Sequence, residues 1–245
     1  MAELSQTSAK EFAATILPLY CGPHVNIRIE HSEQVYTISK SLLCANSSFF
    51  SAIFDGQTTE SSQSSPPTVT LEKVEGVVSV QSLEALLQWL YLRMVRFDVD
   101  DPGYQISAAI ELARLADMCH VSGLEVEMAR CIRNVLIANP NPESNPLWRH
   151  ADTNTFCLTS QHIASASVLP GNHLVRHILA EASVEGYLRD QNHKFAAETQ
   201  RYPSFGADLL KEVSIALNGL KSASKVAFQD PVSENWVELN AIAER

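Results

Sequence analysis

The stretch VYTISKSLLCANSSFFSAIF, residues 35–54, changes its hydrophobic period partway along. Val35, Tyr36 and Ile38 alternate with polar residues in the manner of a half-buried strand, whereas Ser41-Leu42-Leu43 opens a short helical stretch. Ser47 or Ser48 then stands where a cap is wanted for a second short helix, FFSAIF, because a serine hydroxyl accepts from the orphan amides of a first turn. Upstream, Val25, Ile27 and Ile29 alternate in the same way, and the polar His31-Ser32-Glu33-Gln34 between the two runs completes a hairpin. Farther upstream, Phe12, Ile16, Leu19 and Tyr20 recur at helical spacing until Gly22-Pro23 breaks the pattern.

Working downstream, DGQTTESSQSSPP (55–67) has no apolar side chain to bury and reads as an exposed, mobile loop. TVTLEKV then alternates, with Val69 and Leu71 on one side: a third strand. Leu83, Leu86, Leu87 and Leu90 fall at i, i+3, i+4 and i+7, an amphipathic helix. Trp89 and Tyr91 share that segment and read as core, with a subunit interface as the alternative use of this apolar surface. Val95, Phe97 and Val99 alternate and suggest a fourth strand, ended by Asp100-Asp101-Pro102-Gly103. Two helices follow at about 105–118 and 124–138, separated at Gly123, which can supply the positive φ that ends a helix. NPNPESNP (139–146) cannot continue a helix. Beyond it the pattern is helical over roughly 160–168, 172–199 and 205–220, with Leu209, Leu210, Val213, Leu217 and Leu220 as a stripe, and the last 20 or so residues read as a weak helix or tail.

The expected class is therefore α+β: a small sheet flanked by a cluster of helices, followed by an all-helical C-terminal extension. The expected divisions are an N-terminal helix over 1–21, a compact domain over 22–138 with the 55–67 loop, a linker over 139–147 and the extension over 148–245. Composition fits a folded chain: of 245 residues, 45% are hydrophobic and 19% charged. The formal net charge is −10, and there is no basic run to neutralise phosphates, so neither nucleic acid nor an anionic membrane is expected as the partner. No apolar run approaches the length of a membrane span, and the N-terminus, with Glu3, Lys10 and Glu11, is a poor signal peptide. Cys21, Cys44, Cys119, Cys131 and Cys157 are odd in number and widely spaced, with no C-x-x-C, which reads as thiols in a reducing compartment, the cytoplasm or nucleus.

Catalytic patterns are missing. No G-x-S-x-G elbow, G-x-G-x-x-G or phosphate-binding loop occurs, and Glu72, Glu75, Asp100 and Asp101 read as solvated carboxylates at strand and turn ends. Cys44 reads as a core thiol rather than half of a Cys–His dyad. His173 and His177 stand one helical turn apart, a zinc-compatible spacing, but Leu174 occupies the position where a metalloprotease needs glutamate and no third ligand is apparent. The expectation is no enzyme, no cofactor and no metal, with a metal protein or enzyme built on the histidines of 150–193 as the alternative from another class.

Three phrases in this order resemble the BTB/POZ domain: residues 35–54 above, VQSLEALLQWLYLRMV (80–95) and AAIELARLADMCHVSGLEVEMARCI (108–132). The matching positions are Tyr36, Ile38, Lys40, Leu42, Leu43, Ala45, Ser48, Phe49 and Phe50; then Leu86, Leu87, Leu90 and Tyr91; then Leu112, Leu115, Ala116, Asp117 and Leu124. The style with a helical tail also resembles BTB proteins of filamentous fungi. The chain departs from the family pattern at His24, where Asp is usual, at Ser39, where His is usual, and at Asn46, where a basic residue is usual, so the charged pocket that the family builds from the Asp and the basic residue is missing. The resemblance implies a non-enzymatic protein–protein interaction module that homodimerises and recruits protein partners. It implies a dimer interface that uses the N-terminal element, here Phe12, Ile16, Leu19 and Tyr20, or else a helix folded back on its own domain. It also implies an alternative role as substrate adaptor of a cullin-type ubiquitin ligase, with the cullin contact at Phe54, Asp55 and Glu60. A degenerate domain that stays monomeric is the remaining reading.

Overall fold

A computed structural model describes residues 16–55, 66–142, 152–218, 226–229 and 236–239. Phe12, Glu60 and the side chain of Asp55 lie outside the described residues, as do most of the 55–67 loop and residues 143–151. The chain runs α1 (Leu17–Tyr20), β1 (His24–Ile29), β2 (Val35–Ser39), α2 (Lys40–Asn46), α3 (Ser48–Asp55), β3 (Thr68–Leu71), α4 (Val80–Leu92), α5 (Pro102–Met118) and α6 (Leu124–Ala138). It continues through α7 (Ser160–Ala166), α8 (Leu174–Arg189), α9 (Ala196–Arg201), α10 (Pro203–Asn218), β4 (Val226–Gln229) and β5 (Trp236–Leu239).

The three-stranded sheet has the order β2-β1-β3, with β1 antiparallel to β2 and parallel to β3. Alternation sets its register, since a slip of one residue would turn every buried side chain outward. Val25 faces Ile38, Ile27 faces Val69 and Ile29 faces Leu71, all buried. On the solvent face Thr37 donates to Asn26 (2.9 Å) and Arg28 to Thr70 (2.9 Å), so the wet side also carries cross-strand bonds.

The period change within 35–54 appears as a cap. Ser39 ends β2 in an extended conformation, and its Oγ accepts from the Leu42 amide, starting α2. The Ser47 hydroxyl accepts from Phe50 N (3.2 Å) at the head of α3 and donates to the Cys119 carbonyl (2.5 Å), tying the α2–α3 step to the end of α5. Leu42, Leu43, Phe50 and Phe54 point inward beneath α4, where Leu83, Leu86 and Leu90 are buried. Gly123 takes φ +81° between α5 and α6, as its position predicted.

The helical extension over 160–218 folds onto the sheet-bearing part. α7 packs on α5, and α8 packs on α6 and α10. Ile163, Val175, Leu179, Phe205 and Leu209 belong to the same contiguous buried cluster as the β1 valine and isoleucines. Arg133 of α6 pairs with Glu181 of α8 at 2.5 Å across this junction.

Three local expectations are corrected. No fourth strand forms at 95–99: Val95, Phe97 and Val99 are half-buried, so their alternation records one face lying on the core and not a backbone ladder. The helix expected over 172–199 is broken after Arg189, where the Asp190 carboxylate accepts from Asn192 N (2.9 Å) in a local turn that competes with helical bonding. Where a weak helix or tail was expected at the C-terminus, Val226–Gln229 and Trp236–Leu239 pair antiparallel.

Candidate interaction surface

The N-terminal strap, α1, is held by its own domain through two hydrogen bonds and a ring contact. Tyr20 Oη donates to the Tyr91 carbonyl (3.0 Å), and the two rings lie 5.7 Å apart. Ser39 Oγ donates to the Leu19 carbonyl (2.6 Å), and Tyr91 Oη accepts from Ser39 N (3.2 Å). The serine at the position where the family usually has histidine thus joins β2, α2 and the strap. Leu19 and Tyr20 are packed against the core, Ile16 is half-buried, and Leu17 is 46% exposed.

The polypeptide leaving α4 supplies the rest of this face. Arg93 closes α4 in the left-handed region (φ 53°), where its amide caps onto Trp89 O. Its guanidinium lies 5.6 Å from the Trp89 ring and donates to Asn46 Oδ1. A cation therefore stands against Asn46, supplied from α4 and not from the α2–α3 step itself. Trp89 Nε1 is buried and, among the described residues, has no hydrogen-bond partner. Leu92 and Met94 flank Arg93 and are 56% and 43% exposed.

Beyond Met94 the backbone runs without helix or strand to Asp101. Two of its groups are engaged by side chains: Arg96 N donates to Gln88 (2.8 Å) and the Val99 carbonyl accepts from Gln105 (2.7 Å). Among the described residues, no backbone–backbone hydrogen bond joins residues 94–99 to a neighbouring segment. Val95 also lines an open groove of about 500 Å³ with Gln105, Arg130, Cys131, Val135 and Asn139, so α6, the start of α5 and this segment enclose it.

The other sequence candidates are dispersed. Phe54 is 2% exposed, with Lys40 Nζ 5.8 Å over its ring and donating to its carbonyl (3.3 Å). Its ring is core and offers no surface to a partner. Trp89, Leu86 and Leu90 are buried as well, on the core side of the alternative weighed for them. His173 caps α8, its Nδ1 accepting from Val175 N (3.2 Å), whereas His177 Nδ1 lies 3.2 Å from Glu212. Among the described residues no three His, Cys, Asp or Glu side chains are grouped to hold a metal ion. Burial pushes the Cys119 thiol up to about 12, the opposite of what a nucleophilic thiolate needs. Tyr36 is also raised, to about 12, by burial and by its bond to Glu84 (2.7 Å).

Leu92, Arg93 and Met94 were not singled out by the sequence as surface residues. The available signal was that Leu92 falls on the side of α4 opposite the 83/86/87/90 stripe; Met94 continues that stripe by spacing and is exposed because α4 has ended before it.

No helix among the described residues is long and apolar enough to cross a membrane. No curated protein matches the chain. From the end of α1 to the middle of α6, residues 20–131 match the family model of the BTB/POZ domain, a family whose members are in general protein–protein interaction modules.

Proposed function

We propose that this chain is a non-enzymatic scaffold that homodimerises through the face formed by α1, the end of α4 and the extended segment 94–99, and recruits protein partners from there. The observation that carries the reading is the extended segment. Its side chains alternate between half-buried and exposed, no backbone–backbone hydrogen bond joins it to a neighbouring segment among the described residues, and exposed Leu92 and Met94 lead into it. Backbone groups left without a backbone partner in this way can pair with a strand of another chain, and a two-fold axis lets one patch serve both copies. The odd number and wide spacing of the five cysteines support a reducing compartment, the cytoplasm or the nucleus, as the scaffold's location.

Sedimentation of the full chain from low to high micromolar concentration tests this reading. A concentration-dependent dimer is expected for the wild type. Leu92→Asp with Met94→Asp, both at exposed positions, should weaken association at least tenfold without lowering Tm. A wild type that stays monomeric at high micromolar concentration, or a double variant that dimerises equally well, refutes the proposal.

The adaptor alternative belongs within the same reading. With the Phe54 ring inside the core, a cullin contact would have to come from residues beyond it. A cullin captured by the wild type and by the double variant alike would favour that role over the dimer face as the chain's main interaction.

A further inference from the structure

We propose that His162 is an acid-released latch that holds α7, and with it the helical extension, against α5 of the BTB/POZ domain. The ring is 4% exposed and bonded on both sides. Nδ1 accepts the Thr159 amide (3.1 Å), while the Thr159 hydroxyl accepts from His162 N (3.3 Å), a reciprocal capping box that starts α7. Nε2 lies 2.9 Å from Ser107 Oγ on α5.

The proton positions follow from the partners. A backbone N–H can only donate, so Nδ1 must be the bare nitrogen and Nε2 carries the proton. The single Ser107 hydroxyl proton is directed at the Gly103 carbonyl (3.1 Å), which leaves the serine oxygen free to accept from Nε2. Only the neutral imidazole with its proton on Nε2 satisfies every member of this chain. A second proton would sit on Nδ1, face the Thr159 N–H donor to donor, and remove the cap.

The surroundings do not offset that charge. From α5 the ring meets Ser107 and the Gly103 carbonyl, both uncharged. From the turn ahead of α9 it feels Lys194, a like charge, whose ammonium is bonded to the Thr155 carbonyl (2.8 Å). Among the described residues no carboxylate acts on it. Burial, the largest effect, holds the imidazole below its usual range; the Gly103 carbonyl opposes it, and Lys194 adds a still smaller push downward.

The direction in pH follows. A group with a depressed folded pKa is neutral in both states at high pH, where its contribution to the junction is complete. Below the unfolded value of about 6.5, the released state binds a proton that the latched state refuses. Stability is then lost as pH falls, until the folded pKa is reached. Because α7 also touches α8 and α9, releasing it loosens the extension where it meets α5.

Hydrogen exchange of the 160–166 amides in the full chain, corrected for the intrinsic pH dependence, is the test. Wild-type protection should be constant from pH 8 to 7 and fall by up to about tenfold per unit below 6.5. His162→Asn, which keeps an acceptor for the Thr159 amide and cannot charge, should show no such fall. The exposed His31→Asn should behave as wild type. Flat wild-type protection down to pH 5, or an equal fall in His162→Asn, overturns the proposal. If the Asn variant does not fold, nitrogen NMR of the wild-type ring decides: an Nε2–H tautomer with a depressed pKa supports the latch, and a ring pKa at or above 6.5 overturns it.

Discussion

Asp208→Ala should be among the most damaging single truncations in the helical extension. The Arg176 guanidinium is buried where α8, α10 and the turn before α8 meet. Its Nε (2.9 Å) and Nη2 (2.7 Å) both reach Asp208 Oδ2, Nη1 donates to the Leu169 carbonyl (3.0 Å), and Nη2 also donates to Ser204 O (3.1 Å). The two side chains are only 9% and 11% exposed. Taking the carboxylate away leaves a cation in the core with two neutral carbonyls to answer it. An uncompensated buried charge of this kind costs about 3–5 kcal/mol. For a chain of this size that corresponds to a fall in Tm of about 6–20 °C. Calorimetry of the full chain reads it directly. Arg130→Ala is the control, because Arg130, 60% exposed, pairs with Glu127 at 2.6 Å one turn away on α6, where ion pairs contribute about 0–1 kcal/mol. The charge argument makes a second demand. Replacing both partners, Arg176→Met with Asp208→Leu, should recover most of the loss, since two apolar side chains leave no charge behind. A loss under about 1 kcal/mol in Asp208→Ala, or a double variant as unstable as the single one, would refute the reasoning.

Ser47→Ala removes the α3 cap and strands the buried Cys119 carbonyl, and should cost about 2–3 kcal/mol in urea unfolding, with Ser47→Thr restoring most of it. Gly123→Ala should cost roughly 1–2 kcal/mol for its left-handed backbone alone, because a Cβ there would meet Trp89 only at an ordinary 3.6 Å; a neutral result would mean that the turn relaxes. In native protein at pH 8, iodoacetamide should label exposed Cys21 and spare buried Cys119, whose thiol is held at about 12, until denaturant is added; equal labelling rates would contradict the burial.

The parts of the fold that were legible in the sequence are those where one physical cause dominates the pattern. Leu83, Leu86, Leu87 and Leu90 repeat at helical spacing because α4 has one face on the core, and Val25, Ile27 and Ile29 alternate because β1 has one face on it. Gly123 sits where a helix must end, and its φ is what the position requires. The same signal misled at 95–99, since a half-buried extended segment and a paired strand leave the same alternation. It misled again at Asp190, where a carboxylate capturing a nearby amide ends a helix without any Gly or Pro. The candidate surface was harder to read. Phe54 was named as a contact only through the family resemblance, and no local pattern told that its ring faces the core. Arg93 reaches Asn46 only because a left-handed residue turns it back across 47 positions of sequence. Contacts of that range depend on tertiary geometry that no local pattern encodes.

The extension bears on what such a scaffold can do. A tethered helical tail would sample many orientations relative to a dimer face. Here α8 and α7 place Val175, Leu179 and Ile163 in the same buried cluster as Leu124, Met128 and Ile132 of α6 and Leu112 of α5. Stripping the extension away would expose the apolar side of α6, a patch that a solubilised domain carries only at the risk of aggregation. The Arg133–Glu181 pair adds little stability at its exposure, but it fixes which turn of α8 meets which turn of α6. A partner bound to the extension would thereby be held at a set position relative to the segment 94–99, since α6 forms one wall of the groove that Val95 lines. The His162 bond to Ser107 lies on the α7–α5 side of that arrangement, the side that the proposed latch would loosen in acid.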